Sequence, residues 1–210
     1  MLAQLPRAAR VLDVGCASGY LAAAALRDGA RWVDGIEPFA PDAALARAHC
    51  RVVHAGSAED PGVWSCLEGP YDAIIFGDVL EHLAHPERAL AHAHNVLAED
   101  GLIVASLPNV AHYSVRAMLL AGRFEYADHG ILDRTHLRFF TRRELVSLFE
   151  QSGFSPTNID SILALPERQL ALVERFLGHR RTQRWATALA LHAESLFAAQ
   201  FVVTARPSRR

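Results

Sequence analysis

The sequence predicts an α/β fold in which a mostly parallel β-sheet is covered by helices on both faces. Two observations support this prediction. Short apolar segments typical of buried strands alternate with longer segments typical of helices, as a parallel sheet requires. The length of 210 residues and the hydrophobic content of 51% provide for one sizeable core and exclude a largely disordered chain. We therefore treat residues 1–210 as a single domain.

Seven segments have the apolar composition of strands, and helical segments separate most of them. The strands are expected at residues 10–14, 31–36, 51–54, 71–76, 102–106, 154–163 and 200–205. The helices are expected at residues 20–27, 40–49, 86–98 and 141–151, where longer segments are bounded by turn residues. Strands that alternate with helices at these intervals predict a parallel sheet with both faces covered.

Three local signals predict where helices begin and end. Pro86 suits the first turn of a helix, which Asp100-Gly101 should end. Thr141 followed by Glu144 has the spacing of a capping box at a helix start. Gly153 should end that helix because glycine readily adopts the left-handed conformation found after a last turn.

Two segments do not follow the alternating pattern. Residues 108–140 combine histidines, tyrosines and charged residues without a clean period, which is typical of an irregular, partly helical insertion. Residues 164–197 are rich in arginine, leucine and alanine, and we expect them to form a second, mostly helical insertion. Neither segment has the composition of a linker between domains.

The composition excludes several classes of function. All 21 basic residues are arginine, so the chain cannot supply a Schiff-base lysine, a Walker-type phosphate lysine or a lysine general base. A formal charge of −2 without a basic block argues against a nucleic-acid partner. The three cysteines form no CxxC pair, which argues against a zinc knuckle or a disulfide framework. No signal peptide and no window of roughly 20 apolar residues is recognisable, so we expect a cytoplasmic protein.

The turn after the first strand is a candidate ligand site. It reads Asp13-Val-Gly15-Cys-Ala17-Ser-Gly19, and small residues there let the backbone approach a ligand at the start of a helix. Glu37 ends the second strand about 20 residues further on, where a carboxylate can accept hydrogen bonds from both hydroxyls of a ribose. The two features together predict a ligand that contains a nucleoside.

Two classes of ligand use this arrangement, dinucleotides and S-adenosylmethionine. The dinucleotide fingerprint has a third glycine three residues after the second, and this sequence lacks it. Asp13 would also repel a pyrophosphate, whereas a carboxylate suits the cationic amino end of a sulfonium amino acid. S-adenosylmethionine is therefore the predicted cofactor, and a nicotinamide dehydrogenase is the less favoured alternative.

Five motifs, in their order and spacing, resemble those of class I S-adenosylmethionine-dependent methyltransferases. They are VLDVGCASGYLAAAL, GIEPF, HAGSAED, YDAIIFGDVLEHL and LAEDGLIVASLPN. Within that class the chain is similar to ubiquinone-biosynthesis O-methyltransferases, to bacterial methyltransferases found with glycan enzymes, and to MetW-type proteins. The resemblance implies a Rossmann-like, seven-stranded sheet with an antiparallel last strand. It also implies a cofactor-binding half at 1–107, a substrate lid at 108–140 and a C-terminal half at 141–210.

The resemblance implies a set of cofactor-binding residues. They are Asp13, Gly15, Cys16, Ala17, Gly19, Tyr20, Glu37, Pro38, Ser57, Ala58, Phe76, Gly77 and Asp78. Ser57 stands where the family usually has an acid that meets the adenine amino group, so the acceptor that remains is uncharged. Ala17 replaces a common glycine, and its methyl group is tolerated only where the local φ is negative. Cys16 is better interpreted as a small buried thiol.

Methyl transfer to an alcohol or a phenol requires removal of a proton, for which histidine is the usual base near neutral pH. His82 is the first candidate because it follows the fourth strand in GDVLEH, at the sheet edge where α/β folds bind ligands. Asp78 could face the pocket or cap the chain locally. Glu81 could orient His82, act as a metal ligand or face solvent, and of these we expect it to face solvent. His129, in the most polar part of the 108–140 insertion, is the second candidate.

A second group of polar residues follows the fifth strand at the same edge of the sheet. The substrate-binding candidates in it are Asn109, His112, Tyr113, His136 and Arg138. Asp133, His136 and Arg138 could instead lock the insertion onto the domain, and both interpretations stay open. No trio of these residues has a convincing metal-site spacing, so we predict that no metal is required.

The leading functional hypothesis is O-methylation of a small-molecule, glycan-linked or carrier-bound hydroxyl. The alternative, which the resemblance to MetW-type proteins permits, is a cofactor-binding accessory subunit without turnover of its own. No nucleic acid and no membrane span are expected, and the arginine-rich helical segment leaves room for a homodimer. The sequence does not identify the acceptor.

Overall fold

The computed structural model describes residues 1–164 and 193–208, and its centre is a seven-stranded sheet. The strand order is β3-β2-β1-β4-β5-β7-β6. The strands are β1 (Arg10–Val14), β2 (Trp32–Glu37), β3 (Val53–Ala55), β4 (Tyr71–Gly77), β5 (Leu97–Pro108), β6 (Phe154–Leu163) and β7 (Ala198–Pro207). Strands β1 to β5 pair in parallel, whereas β7 is antiparallel to both β5 and β6. The predicted fold class is confirmed.

Seven α-helices accompany these strands in the described part of the chain. They are α1 (Tyr20–Arg27), α2 (Ala40–Ala46), α3 (Pro61–Ser65), α4 (Pro86–Val96), α5 (Tyr113–Leu120), α6 (Arg142–Gln151) and α7 (Glu194–Phe197). Short 3-10 helices span Leu2–Gln4 and Leu80–His82. No helix among the described residues is long and apolar enough to cross a membrane.

The apolar side chains of the sheet pack on both of its faces, because successive residues of a strand point to opposite sides. In β1, Leu12 and Val14 belong to one core cluster and Val11 belongs to the other. All three are fully buried. Strands buried on both faces read as continuous apolar runs, which is why the sequence signal for β1 and β4 was clear.

Helix α4 ends earlier than predicted. The expectation that Asp100-Gly101 would stop it is wrong, because the chain becomes extended at Leu97, which pairs with Tyr71 in β4. The next pair in this ladder joins Ala73 to Leu102, so residues 98–101 bulge out of β5. A buried leucine that can extend the sheet outweighs the local stop signal.

Other boundaries agree with or refine the predictions. Thr141 caps α6 as the capping box requires, since its Oγ1 accepts a hydrogen bond from the Glu144 N–H over 3.3 Å. Gly153 follows that helix with a φ of +82°. Helix α3 was not predicted, although Asp60 caps it and Pro61 opens it. Most of the helical insertion expected at 164–197 lies outside the described residues.

The order of the strands positions the ligand site. The chain runs from β1 to β2 and β3 on one side and then crosses from β3 to β4 on the other side, so the strand order reverses at β1. In open α/β sheets a crevice forms outside the carboxyl ends of the strands at such a point, and ligands bind there. The glycine turn after β1, Glu37 at the end of β2 and His82 after β4 all lie at this edge.

Candidate active site

Two adjoining cavities lie at the carboxyl edge of the sheet. The first, here called the loop cavity, has a volume of about 330 Å³ and is lined by Gly15, Ile36, Glu37, Pro38, Ser57, Ala58, Glu59, Asp78, Val79, His82 and Leu83. The second, here called the histidine cavity, has a volume of about 360 Å³ and is lined by Asp78, Glu81, His82, Pro108, His129, Gly130, Ile131, Asp133, His136, Ala199 and Gln200. Asp78 and His82 line both cavities, so the two meet at these side chains.

The glycine turn has the geometry that brings a backbone close to a ligand. Gly15 has a φ of +70°, and a Cβ there would come within 2.5 Å of Val79 Cγ2. Ala17 also has a positive φ, +46°, so the expectation of a negative φ at this alanine is wrong. The Ala17 N–H donates a hydrogen bond to Glu37 Oε2 over 2.9 Å, which holds the residue in this conformation.

Glu37 is fixed at the end of β2 by two backbone donors. Its Oε2 accepts from the Ala17 N–H and its Oε1 accepts from the Phe39 N–H, each over 2.9 Å. A carboxylate oxygen has a second lone pair, so each oxygen can accept one further hydrogen bond. Glu37 is 7% exposed and lines the loop cavity. This geometry suits the two hydroxyls of a ribose.

Asp13 is a buried carboxyl group without a partner. Its side chain is fully buried in β1, and neither oxygen has a hydrogen-bond partner among the described residues. Burial, with a smaller contribution from Glu37, raises its pKa to about 7. An unpaired buried carboxylate is costly, and a nearby cation relieves that cost. The residue therefore fits a ligand that brings a positive charge to this end of the sheet, as S-adenosylmethionine does.

Five of the other cofactor-binding candidates lie in two places. Pro38, Ser57 and Ala58 line the loop cavity, and the Ser57 Oγ accepts from the Glu59 N–H over 3.2 Å. Phe76 and Gly77 are the last two residues of β4. Phe76 is fully buried in the core. A Cβ at Gly77 would lie 2.9 Å from Leu21 Cδ1, which fits its role in close packing.

Three further positions at the glycine turn have distinct environments. Gly19 has a φ of +82° and approaches the backbone of Ala46, so it too tolerates no side chain without strain. The Cys16 thiol is buried, and a hydrogen bond with Cys50 together with burial raises its pKa, in agreement with a buried packing thiol. Tyr20 is 61% exposed, and partial burial, followed by Asp13, raises the pKa of its hydroxyl.

Asp78 lines both cavities and is held in place by hydrogen bonds to neighbouring strands. Its φ is +54°, an uncommon conformation for a residue other than glycine. The Asp78 N–H donates to Ser106 Oγ over 3.0 Å, and Asp78 Oδ1 accepts from the Ser106 hydroxyl over 3.1 Å. Gln200 of β7 donates to the same Oδ1. Asp78 thus lines both cavities and also forms hydrogen bonds with residues of β5 and β7.

His82 is exposed at the junction of the cavities, and two residues of the 108–140 insertion contact its ring. Its Nδ1 lies 3.2 Å from Thr135 Oγ1 and 3.3 Å from the Thr135 carbonyl oxygen. The ring of His136 packs against it, with ring centroids 4.8 Å apart. The histidine that the sequence ranked first therefore lies where a cofactor and an acceptor could meet.

Glu81 does not face solvent, so that expectation is wrong. Its side chain is 1% exposed and its Oε2 has no hydrogen-bond partner among the described residues. Burial is the main cause that raises its pKa to about 8, and Asp78 adds to the effect. The donor atoms of Glu81, His82 and His136 lie within 4.8 Å of one another, a spacing at which a metal ion could be held. That no metal is required remains a prediction.

The substrate-binding candidates separate clearly in the structure. His129 and His136 line the histidine cavity, and the His136 Nδ1 lies 3.2 Å from the carbonyl oxygen of Ile131. Burial is the main cause that lowers the His136 pKa. Arg138 lies elsewhere, since its guanidinium donates to the carbonyl oxygen of Ala84, over 2.6 Å from Nη2, and lines a different groove beside α6.

Asn109, His112 and Tyr113 have structural contacts, and none of them is among the described residues that line the loop cavity or the histidine cavity. The Asn109 amide donates to the carbonyl oxygens of Ser195 and Ala198 and accepts from the Ala111 N–H. His112 caps α5, and both of its ring nitrogens have hydrogen-bond partners in the chain, at Ser114 Oγ and at the Ala164 carbonyl. Tyr113 packs against the His112 ring. We therefore assign these three residues to packing of the insertion.

Thr135 and Gln200 are cavity-edge residues that sequence reasoning missed. Thr135 contacts His82 although 53 positions separate them, and Gln200 contacts Asp78 although 122 positions separate them. Neither residue belongs to a motif, and only the folded sheet edge brings such distant positions together. No sequence signal could have found them.

The sequence of this chain is similar to those of known methyltransferases. Residues 1–159 match the model of a family described as a methyltransferase domain. The chain is 27% identical over 158 residues to a ubiquinone biosynthesis O-methyltransferase of Neisseria meningitidis, covering 70% of this chain and 64% of that protein. It is 31% identical over 160 residues to a malonyl-[acyl-carrier protein] O-methyltransferase of Geobacter sulfurreducens, covering 72% and 57%. The matches thus span about three-fifths of these relatives' lengths.

A solved structure supports the same fold. It is the 1,6-didemethyltoxoflavin-N1-methyltransferase of Burkholderia thailandensis with bound S-adenosylhomocysteine, which has a TM-score of 0.59 and 22% sequence identity. The match covers 97% of this chain and 72% of that chain. At this level of identity the likeness concerns the fold.

Proposed function

Because the chain belongs to the methyltransferase domain family, we propose that it is an S-adenosylmethionine-dependent O-methyltransferase that acts on a hydroxyl group in the histidine cavity. One observation carries the proposal: the loop cavity, with Glu37 and the glycine turn, meets the histidine cavity at Asp78 and His82. A donor in the first cavity and an acceptor in the second would face each other at that junction.

The residues of the loop cavity would hold the cofactor. Glu37 would accept hydrogen bonds from the ribose hydroxyls, and Asp13 would compensate the charge of the amino end. Pro38, Ser57 and Ala58 would surround the adenine. S-adenosylmethionine, when bound, supplies a methyl group on a cationic sulfur that is displaced in line by a nucleophile.

His82 would act as the general base. A hydroxyl attacks effectively only as its proton leaves, and a positioned imidazole contributes typically 10²- to 10⁴-fold to such a step. His82 lines both cavities, so its ring can reach an acceptor oxygen placed at the junction. His129 lines the histidine cavity as well and is the second candidate base, or a contact for the acceptor.

The lining of the histidine cavity favours an acceptor without a negative charge. Among its described residues are three carboxyl groups, three imidazoles and the amide of Gln200, and none is an arginine. Hydrogen bonding from Thr135 keeps the Asp133 pKa below its usual range, so this carboxylate is ionised at neutral pH. A neutral hydroxylated molecule suits this surface better than a carboxylate or a phosphate.

The test combines binding with turnover. Calorimetric titration with S-adenosylhomocysteine should show binding to the wild-type protein and to His82→Ala. Transfer from a labelled methyl donor to a panel of phenols and sugars should then be about 10²-fold or more slower in His82→Ala. The matched control His49→Ala, an exposed histidine beyond α2, should behave as wild type. Binding without transfer to any acceptor would instead identify an accessory subunit.

A parallel measurement separates a base from a metal ligand. We expect transfer to persist after dialysis against a chelator, because the proposal assigns His82 a proton and not an ion. If chelation abolished transfer and a divalent ion restored it, Glu81, His82 and His136 would be metal ligands and the role of His82 as base would be wrong.

A further inference from the structure

The Nδ1 atom of His82 lies beside two oxygens of one residue. It is 3.3 Å from the Thr135 carbonyl oxygen and 3.2 Å from Thr135 Oγ1. A carbonyl oxygen can only accept a hydrogen bond, so Nδ1 must carry a proton for this contact to be a bond. In a neutral imidazole the other nitrogen, Nε2, then has the free lone pair.

The Thr135 hydroxyl is fixed in the same sense by Asp133. Thr135 Oγ1 donates its proton to Asp133 Oδ1 over 2.7 Å, and the Thr135 N–H donates to the same oxygen over 2.8 Å. Because the only proton of the hydroxyl is used, the oxygen can offer just a lone pair to His82. Both oxygens of Thr135 are therefore acceptors toward Nδ1.

We propose that Thr135 and Asp133 are positioning residues that hold the proton of neutral His82 on Nδ1 and leave Nε2 free to accept the proton of the methyl acceptor. The inference rests on the proposed function, in which His82 is the base. The His136 ring, whose plane is inclined at 73° to that of the His82 ring, packs against His82 and restrains it on a further side. The insertion thereby contributes to the base as well as to the cavity wall.

The first test reads the tautomer of His82 directly. In protein labelled with ¹⁵N-histidine, at a pH where the ring is neutral, we expect the Nδ1 signal of His82 in the range of a protonated ring nitrogen and Nε2 in the unprotonated range. The variant His82→Ala identifies the signals. Thr135→Val loses one of the two acceptors and keeps the backbone carbonyl, so the Nδ1 signal should move part of the way toward the unprotonated range. Asp133→Ala frees the hydroxyl proton to be donated to Nδ1 and should move the signal further. Thr135→Ser, which keeps the hydroxyl, should resemble wild type.

The second test reads turnover. Thr135→Val keeps the shape of the side chain and loses the hydroxyl, so kcat should fall about tenfold while the KM for the acceptor changes little. Thr135→Ser should recover most of this loss. A wild-type His82 protonated on Nε2, or equal behaviour of the Val and Ser variants, would overturn the inference. The expected tautomer without methyl transfer to any acceptor would overturn the proposed function and leave the positioning contact intact.

Discussion

Asp13 and Glu81 are buried, although carboxyl groups are normally exposed to solvent. Each has an oxygen without a hydrogen-bond partner among the described residues. Their pKa values are raised to about 7 and about 8. A raised pKa in an acid means that the folded protein binds the proton more tightly than the unfolded chain does. Both groups therefore stabilise the ligand-free protein only while they are protonated.

The first prediction concerns the pH dependence that Asp13 imposes. The free energy of unfolding of the ligand-free protein should fall as the pH rises from about 4 to about 7, and Asp13 should contribute no more than roughly 4 kcal/mol of that fall. In Asp13→Asn, which does not titrate, urea unfolding at about pH 5 and pH 8 should give a smaller difference. The exposed control Asp28→Asn should keep the wild-type difference. An unchanged difference in Asp13→Asn would show that this carboxyl group is already ionised at neutral pH.

The second prediction concerns the strained alanine of the glycine turn. Ala17 has a φ of +46°, a conformation that costs an alanine roughly 1–2 kcal/mol. Ala17→Gly removes this strain at a smaller entropic cost, so it should stabilise the protein by about 0.5–1 kcal/mol in thermal or urea unfolding. The same substitution within α1, Ala24→Gly, should destabilise by about 1 kcal/mol. Changes of the same sign would contradict the strain argument.

At the scale of elements, the residues after β5 show how one amide can join two strands and an insertion. Asn109 is fully buried, accepts a hydrogen bond from the Ala111 N–H, and donates 2.7 Å to the Ala198 carbonyl where β7 begins. Both protons of the Asn109 amide are donated to backbone carbonyl oxygens, so the buried side chain has no donor left for a substrate. The hydrogen bonds of Asn109 therefore stabilise the fold.

The third prediction distinguishes this structural role from substrate binding. Asn109→Ala should lower the free energy of unfolding by about 2–3 kcal/mol, because it leaves buried backbone groups unpaired. The KM for an acceptor should stay close to the wild-type value. Asn158→Ala, on the exposed side of β6, should change stability by less than about 0.5 kcal/mol. A large rise in KM with unchanged stability would restore Asn109 as a substrate contact.

At the scale of the whole molecule, the ionisable residues that line the described part of the histidine cavity differ in type from those of the chain as a whole. The chain carries 21 arginines, yet the described lining of the histidine cavity contains carboxyl groups and imidazoles only as its ionisable side chains. Arg138, a substrate-binding candidate from the sequence, donates to the Ala84 carbonyl oxygen instead. The charge of the described lining thus supports the proposal of an uncharged acceptor.

The fourth prediction tests this selection with a matched pair of acceptors. The kcat/KM for 3,4-dihydroxybenzamide should exceed that for 3,4-dihydroxybenzoate by about tenfold or more, since the two have nearly the same shape and the benzoate alone brings a negative charge into the cavity. For any other acceptor that is methylated, its own amide and carboxylate forms provide the same comparison. A preference for the carboxylate form would contradict the proposed acceptor class.

Much of the fold and half of the site followed from local features of the sequence. The strands β1 and β4 are continuous apolar runs because both of their faces are buried, and the turn between Asp13 and Gly19 has the small residues that its positive φ angles need. Glu37 and His82 follow strands, so their place at the carboxyl edge follows from the parallel order alone. Such signals are local, and a single sequence contains them.

Only the tertiary structure decided which polar residues face the cavity and which serve packing. Glu81 is buried instead of exposed, Asn109 and His112 bind backbone groups, and Thr135 reaches His82. The physical reason is that burial and hydrogen-bond partners depend on contacts between residues far apart in the chain. A polar residue at an irregular position carries no periodic signal, so its neighbours, and with them its role, are set by how the insertion packs on the sheet.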